Sequence, residues 1–312
     1  MKRIASSAAL AFLAGCTTVA APSAPRHATQ VAELNHVYAT VDRETADAIR
    51  NSDFLRGFAN LEVRTTTGTR ASWTGRYLYG KRTYIEFFAP EDFQINEKPA
   101  PVGAWGLAVS GDAVGFNREL KRRLETAGHK AVVEVDTRKL GNATVPWFEA
   151  LTAVSQHGDS GALGETVSVW AMEYQPSYFE LPEAGKEAAE GADDIISRER
   201  YQSDAYAGKM MRDILSVHFN VGPSDFARIE PLLSAAGYRL RHGANEVLAT
   251  GAETELRFTL TDPGAQGLRQ VRFALNAAAA RRVESIGRST LVVGPDATAT
   301  WTFPAPVPAG IE

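Results

Sequence analysis

The sequence predicts an α+β fold in which paired βαβββ modules form cupped mixed sheets, arranged as two such domains. Three observations carry this expectation. A β-rich run, a capped helix and three strand-like runs follow one another over residues 34–88. The same order returns from residue 105, from residue 215 and, more degenerately, from residue 270. The chain of 312 residues, 44% hydrophobic and 22% charged with 26 Gly and 15 Pro, has core material for two domains and ordinary loops.

In the first module, 34–41 is β-rich, and Asp42 stands as a helix N-cap with Glu44 in the first turn of a helix over 43–59. Strands at 61–66, 73–79 and 83–88 follow, separated by Gly68 and by the Gly80-Lys81 hairpin. After a Pro-rich break at 97–103, the second module reads as a strand at 105–110 and a helix at 112–126 with Leu120 and Leu124 on one face. Its last three strands are at 131–136, 146–155 and 166–175. The charged, Ala- and Gly-rich stretch 182–194 is a linker or a surface helix. In the third module a strand at 215–221 leads to a helix with Pro223 at its first position, running through Ala236 to the stop signal Gly237. Strands at 238–241, 246–249 and 255–260 complete it. The fourth has strands at 270–276, 290–293 and 298–303 and a short Ala/Arg helix. The expected domains are 33–180 and 213–312, joined by a linker at 181–212.

The N-terminus reads as an address. Lys2-Arg3 precedes the apolar residues 4–13 and then Ala14-Gly15-Cys16. The apolar stretch is far below the roughly 20 residues of a spanning helix and suits a signal-peptide core. Leu13-Ala14-Gly15-Cys16 resembles the bacterial lipobox. That resemblance implies a signal peptide over 1–15, a diacylglycerol on the Cys16 thiol and a cell-envelope lipoprotein with a flexible tether over 16–32. The alternative is an ordinary secretory signal with an unrelated Cys. With Thr17 rather than Asp after the Cys, the resemblance implies the outer membrane, facing the periplasm. Cys16 is the only cysteine, so disulfides, thiolate catalysis and Cys-ligated zinc are excluded from the rest of the chain. A net charge of −4, from 33 basic and 37 acidic side chains without a long basic run, argues against nucleic-acid partners.

Residues 34–42, Leu-Asn-His36-Val-Tyr38-Ala-Thr-Val-Asp42, together with 83–88, Thr-Tyr84-Ile-Glu86-Phe-Phe88, resemble the vicinal oxygen chelate superfamily in its glyoxalase-like branch. That superfamily holds glyoxalase I, extradiol dioxygenases and bleomycin-resistance-type binding proteins. The resemblance implies sheets cupped around a divalent metal (Zn, Fe, Mn, Ni or Co), held by a first-strand His and a fourth-strand Glu. Those positions fall on His36 and Glu86. Trp170-Ala-Met-Glu173 parallels Tyr84-Ile-Glu86 and offers Glu173 as a third ligand. The first strand of the second copy has no His. Glu86 and Glu173 are then the implied catalytic carboxylates, moving a proton on a substrate whose vicinal oxygens chelate the metal.

Strand alternation independently places His36, Tyr38 and Thr40 on one face, and Tyr84, Glu86 and Phe88 on one face. Glu86 lies in an apolar run and requires a partner, either a metal or a cation such as Arg64, Arg76 or Arg82. Arg64 and Arg76 could take an anionic substrate bidentately, with Tyr38, Tyr84 and Trp170 lining the cup. Trp73, Trp105 and Trp147 belong either to the cup or to the core. His218 is a weaker metal candidate, whereas His129, His157 and His242 sit by turns and His27 lies in the tether. No GxGxxG, P-loop or GxSxG motif is present. Three functions remain open: a metal-dependent lyase, isomerase or dioxygenase, a non-catalytic small-molecule binder, and a structural envelope lipoprotein. The partners expected are a small-molecule ligand and the membrane, through the lipid anchor.

Overall fold

The computed structural model describes residues 32–69, 71–95, 98–154, 166–191, 194–202, 204–262 and 264–306. Cys16, the tether with His27, and His157 lie outside the described residues. The first module comprises β1 (Glu33–Thr40), α1 (Arg43–Asn51), α2 (Asp53–Phe58), β2 (Asn60–Thr67), β3 (Ser72–Tyr79) and β4 (Tyr84–Phe88). A small hairpin, β5 (Gln94–Ile95) with β6 (Lys98–Pro99), leads to the second module. That module is β7 (Trp105–Ser110), α3 (Phe116–Thr126), β8 (Lys130–Leu140), β9 (Ala143–Val154) and β10 (Val167–Tyr174).

These strands form one mixed sheet in the order β2-β3-β4-β1-β7-β10-β9-β8. Within each module the first and last strands run parallel, and the modules join through the antiparallel pair β1/β7. The sheet curls until its edges touch: Gly68 of the β2 end bridges to Arg138 of β8, and the Thr137 N–H donates to Thr69 Oγ1 at 2.7 Å. It is thus a cup closed on its own seam.

Two short helices, α4 (Pro176–Phe179) and α5 (Arg198–Tyr201), and two 3-10 turns, Pro182–Ala184 and Asp204–Gly208, lie in the connection to the second sheet. The second sheet contains β11 (Met211–Val221), β12 (Arg239–His242), β13 (Glu246–Thr250), β14 (Glu255–Leu260), β15 (Gly267–Leu275), β16 (Arg282–Ile286), β17 (Ser289–Val293) and β18 (Thr298–Thr302). Helix α6 (Pro223–Ala235) follows β11, and the strand order β12-β13-β14-β11-β15-β18-β17-β16 repeats that of the first sheet.

Local chemistry explains where elements begin and end. Asp42 caps α1, its carboxylate accepting the Thr45 N–H at 2.9 Å. The single helix expected over 43–59 is broken at Ser52, which leaves the helical region (ψ 114) and whose hydroxyl caps α2 through the Leu55 N–H. Helix α3 starts at Phe116 rather than at 112, because Gly115 is left-handed (φ 87) and Asp112 is held by the Arg198 guanidinium at 3.0 Å. Helix α6 starts at Pro223 and stops before Gly237 (φ 94), as expected. The fourth module has no helix. The Ala run 277–280 is too short to nucleate one, and the following residues form the unforeseen strand β16 against β17.

The convex face of the first sheet packs on the second. Trp105 stacks on Phe219 with ring centroids 3.9 Å apart, and Phe87 lies 5.1 Å from Trp301. Trp105 is therefore a core residue. The turn between β3 and β4 docks on β11: Lys81 N–H donates to the Arg212 carbonyl, and Asp213 Oδ1 accepts from Arg82 N–H, Thr83 N–H and the Thr83 hydroxyl. With the apolar face of the first sheet consumed this way, its concave face is left for polar and aromatic groups. Among the described residues no helix is long and apolar enough to cross a membrane.

Candidate functional site

The cup of the first sheet encloses a cavity of about 460 Å³, within the usual range for small-molecule sites. Strand alternation sends His36 and Tyr38 of β1, Tyr84, Glu86 and Phe88 of β4, and Ser168, Trp170 and Met172 of β10 into it. Arg64, Trp73, Tyr77, Glu134, Asp136, Trp147 and Thr152 come from the remaining strands.

His36 is fixed by its sequence neighbour. The register of β1 against β7 shifts between Leu34 and His36, and this bulge brings the Asn35 amide beside the imidazole. Asn35 Nδ2 donates to Ser110 Oγ at 3.1 Å, so its Oδ1 accepts the Nδ1–H of His36 at 2.8 Å and the lone pair resides on Nε2. The ring stacks on Tyr84 (4.3 Å) and meets the edge of Trp170 (5.3 Å). Burial pushes its pKa down to about 3, so the imidazole is neutral.

Glu86 is buried, and its Oε1 accepts the Trp73 indole N–H at 3.0 Å. Burial pushes its pKa up to about 7, against the lowering effects of the Tyr77 hydroxyl, Arg64 and Trp73. The Arg64 guanidinium lies over the Tyr77 ring at 4.2 Å and pairs with Glu62 at 3.0 Å. Arg82, a further cation considered for Glu86, instead pairs with Glu253. Three further polar groups of the lining are buried: the Trp147 indole N–H has no partner, and the Tyr38 and Ser168 hydroxyls lie beside each other with no other partner. Burial also raises the Tyr38 phenol to about 12, so it is a neutral donor.

Of the residues singled out from sequence, the cavity unites His36, Tyr38, Arg64, Tyr84, Glu86 and Trp170. Two are placed elsewhere. Glu173 points to the opposite face of β10, where Oε1 and Oε2 accept the N–H groups of Gly115 (2.6 Å) and Asn117 (2.8 Å) at the start of α3. The reason is register. Across β7/β10 Ala108 pairs with Trp170, as His36 pairs with Tyr84 across β1/β4. The position matching Glu86 is therefore Met172, and that matching His36 is Ala108. Arg76 also faces outward, buried in ion pairs with Asp92 (2.6 Å) and Asp47 (3.9 Å). His218 belongs to the second sheet and shares a hydrogen bond with Thr259. His242 pairs with Glu230 at the surface.

The residues present do not fit the metal that the resemblance implies. Of four module positions only His36 and Glu86 carry donors, Ala108 and Met172 carry none, and Glu86 Oε1 is already engaged by Trp73. Among the described residues no group of three or more His, Cys, Asp or Glu could hold a metal ion. Sequence reasoning missed Asn35, Ser168 and Met172. Ser168 and Met172 were accessible by extending the alternation of β10 from Trp170, whereas Asn35 is brought to the imidazole by a bulge that no periodicity announces.

Solved structures of low sequence identity are similar to the chain to different degrees. A hypothetical protein from Staphylococcus aureus matches with TM-score 0.52 and 10% identity, over 82% of this chain and 96% of that one. The Mn(II)-bound glyoxalase from Novosphingobium aromaticivorans matches with TM-score 0.42 and 12% identity, over 84% and 78% of the two chains. The halotolerant catechol dioxygenase BphC matches with TM-score 0.40 and 8% identity, over 91% and 90%. No curated protein matches the chain. The model of one family of unknown function, DUF5829, matches residues 34–303, which span all the β-modules, and the chain belongs to that family.

Proposed function

We propose that the first sheet binds a small, flat, oxygen-bearing organic molecule inside its closed cup. The observation that carries this reading is a cavity walled by aromatic rings that holds the partnerless Trp147 N–H and the Tyr38 and Ser168 hydroxyls, which have only each other. An unsatisfied buried polar group costs about 1–3 kcal/mol, and a ligand with adjacent oxygens relieves that cost in the complex. Thermal shift against catechols and hydroxy-ketones tests the reading. A binding compound raises Tm, and Tyr38→Phe raises the Tm of the free protein while shrinking the ligand-induced shift. A panel that leaves Tm unmoved at millimolar concentration contradicts it.

A second reading, a lyase or isomerase, is favoured by one further observation. A carboxyl with pKa about 7 and a neutral imidazole line the same cavity. Glu86 is then matched to take a proton from a carbon next to a carbonyl near neutral pH, and the indole N–H of Trp73 holds Oε1 in place. This step needs no metal. Loss of substrate turnover in Glu86→Gln with retained ligand binding supports catalysis over binding alone. The cell-envelope placement through Cys16 belongs to the same proposal. Release of a Cys16→Ser variant from the membrane fraction supports it.

A further inference from the structure

Where the edge strands of the cup meet, three cations from three different segments converge. Arg64 of β2 lies over Tyr77 (4.2 Å) and Tyr79 (5.8 Å). Arg138 of β8, the residue that bridges to Gly68 at the seam, lies over Trp147 (5.3 Å) and donates to the Tyr178 hydroxyl at 2.9 Å. Lys186, from the segment after α4, sits 3.7 Å over the Tyr201 ring and donates to the Tyr201 carbonyl at 2.8 Å. All three are partly buried. Only Arg64 has a carboxylate partner, the exposed Glu62; among the described residues Arg138 and Lys186 form no ion pair.

Cations gathered in a half-buried site repel one another and lose hydration, and the carboxylates of Glu62 and Glu187 offset this only in part. Burial, reinforced by Arg138 and Arg64 and opposed by Glu62 and Glu187, pushes the Lys186 ammonium down to about 7. The charge is connected to the cavity on two sides, because Arg64 lines it directly and Trp147, which carries Arg138 on its ring, lines it as well. Beyond the bonds of Arg64 to Glu62 and Thr66 and of Arg138 to Tyr178, each guanidinium has N–H groups left to donate to a planar oxyanion.

We propose that Arg64, Arg138 and Lys186 form an anion subsite at the seam of the cup, which takes the carboxylate of a ligand whose flat body occupies the cavity. This deepens the ligand-binding reading and rests on it. The substrate class becomes an aromatic or unsaturated carboxylate. The carboxylate restores the proton on Lys186, so binding above neutral pH takes up a proton from solution.

The test is calorimetric titration of the full chain at pH 8 with benzoate and with its neutral isostere benzamide, in buffers of different ionisation enthalpy. Benzoate is expected to bind about 10- to 100-fold more tightly than benzamide, with proton uptake, as charge-assisted hydrogen bonds require. Arg138→Gln and Lys186→Met are expected to abolish that preference and to leave benzamide binding intact. The proton uptake is read on the unaltered protein and does not depend on the variants folding. Equal affinity for the two compounds without proton uptake overturns the subsite and leaves the cavity reading standing. Binding of neither compound overturns both.

Discussion

Gly75 of β3 makes room for the carboxylate of Glu86. A Cβ at Gly75 would overlap Glu86 Oε1 and come within 2.7 Å of the Tyr77 ring. Both groups line the cavity but are tied to the Trp73 indole N–H, at 2.9 Å for the Tyr77 hydroxyl and 3.0 Å for Glu86, so making way for a Cβ breaks that arrangement. Gly75→Ala is expected to lower stability by about 1–3 kcal/mol, as overpacking does, and to displace Glu86 from Trp73. Denaturant unfolding reads the first effect, and the loss of ligand-induced thermal shift reads the second.

The two buried titratable groups of the cavity have opposite linkage to pH. Glu86 has its folded pKa raised from 4.5 to about 7, so stability is greatest below 4.5 and falls as pH rises through 7. His36 has its folded pKa lowered from 6.5 to about 3, so stability is present above 6.5 and is lost as pH falls towards 3. Between 4.5 and 6.5 the slopes cancel. Glu86→Gln is expected to expose the histidine limb, up to about 5 kcal/mol gained from pH 3 to 6.5, and His36→Gln the carboxylate limb, up to about 3 kcal/mol lost from pH 4.5 to 7. Chemical unfolding across pH, taken as the difference from the parent, checks both.

Glu173 stabilises α3 rather than serving the cavity. Its two oxygens satisfy N–H groups that the helix cannot pair internally, and the left-handed Gly115 supplies no side chain to do so. Glu173→Ala is expected to cost about 1–2 kcal/mol, the range for loss of an N-terminal cap, with ligand affinity unchanged. A large affinity loss at intact stability would place the residue in the site after all.

The buried Arg76 pairs with the partly buried Asp92 on the convex side of the cup, and Asp92 also accepts the Ala89 N–H at 3.0 Å. Arg76→Met leaves the partly buried Asp92 without its cation and is expected to destabilise by about 1–3 kcal/mol, the cost of an unsatisfied buried polar group rather than that of a fully buried ion. Arg64→Met, whose partner Glu62 reaches solvent, is expected to cost less than about 1 kcal/mol for that pair. Unfolding midpoints of the two variants compare them directly.

Much of this was legible in the chain. The module order, the Asp42 cap, the Gly237 stop and the inward set His36, Tyr38, Tyr84 and Glu86 follow from local capping chemistry and strand alternation, which depend on few neighbours. What failed depends on long-range register. Glu173 and Met172 differ by one position on β10, and one position decides which face of a sheet a side chain takes. The seam that brings Arg138 and Lys186 beside Arg64 is closed by contacts between residues far apart in sequence, such as Thr69 with Thr137. The helix expected in the fourth module rested on helix propensity alone, and tertiary pairing of β16 with β17 prevails over it.

Met172 offers the most direct measurement, because the chain has only 4 methionines and this one lines the cavity while Met211 is buried in the shared core. Methyl NMR of the 13C-methionine-labelled protein is recorded during titration with benzoate and, separately, with Mn(II). The expected result is a saturable shift of the Met172 methyl with benzoate, a static Met211 methyl, and no paramagnetic loss of Met172 at equimolar Mn(II). A Met172 signal indifferent to every ligand, or erased by equimolar Mn(II), would contradict a small-molecule site built without a resident metal.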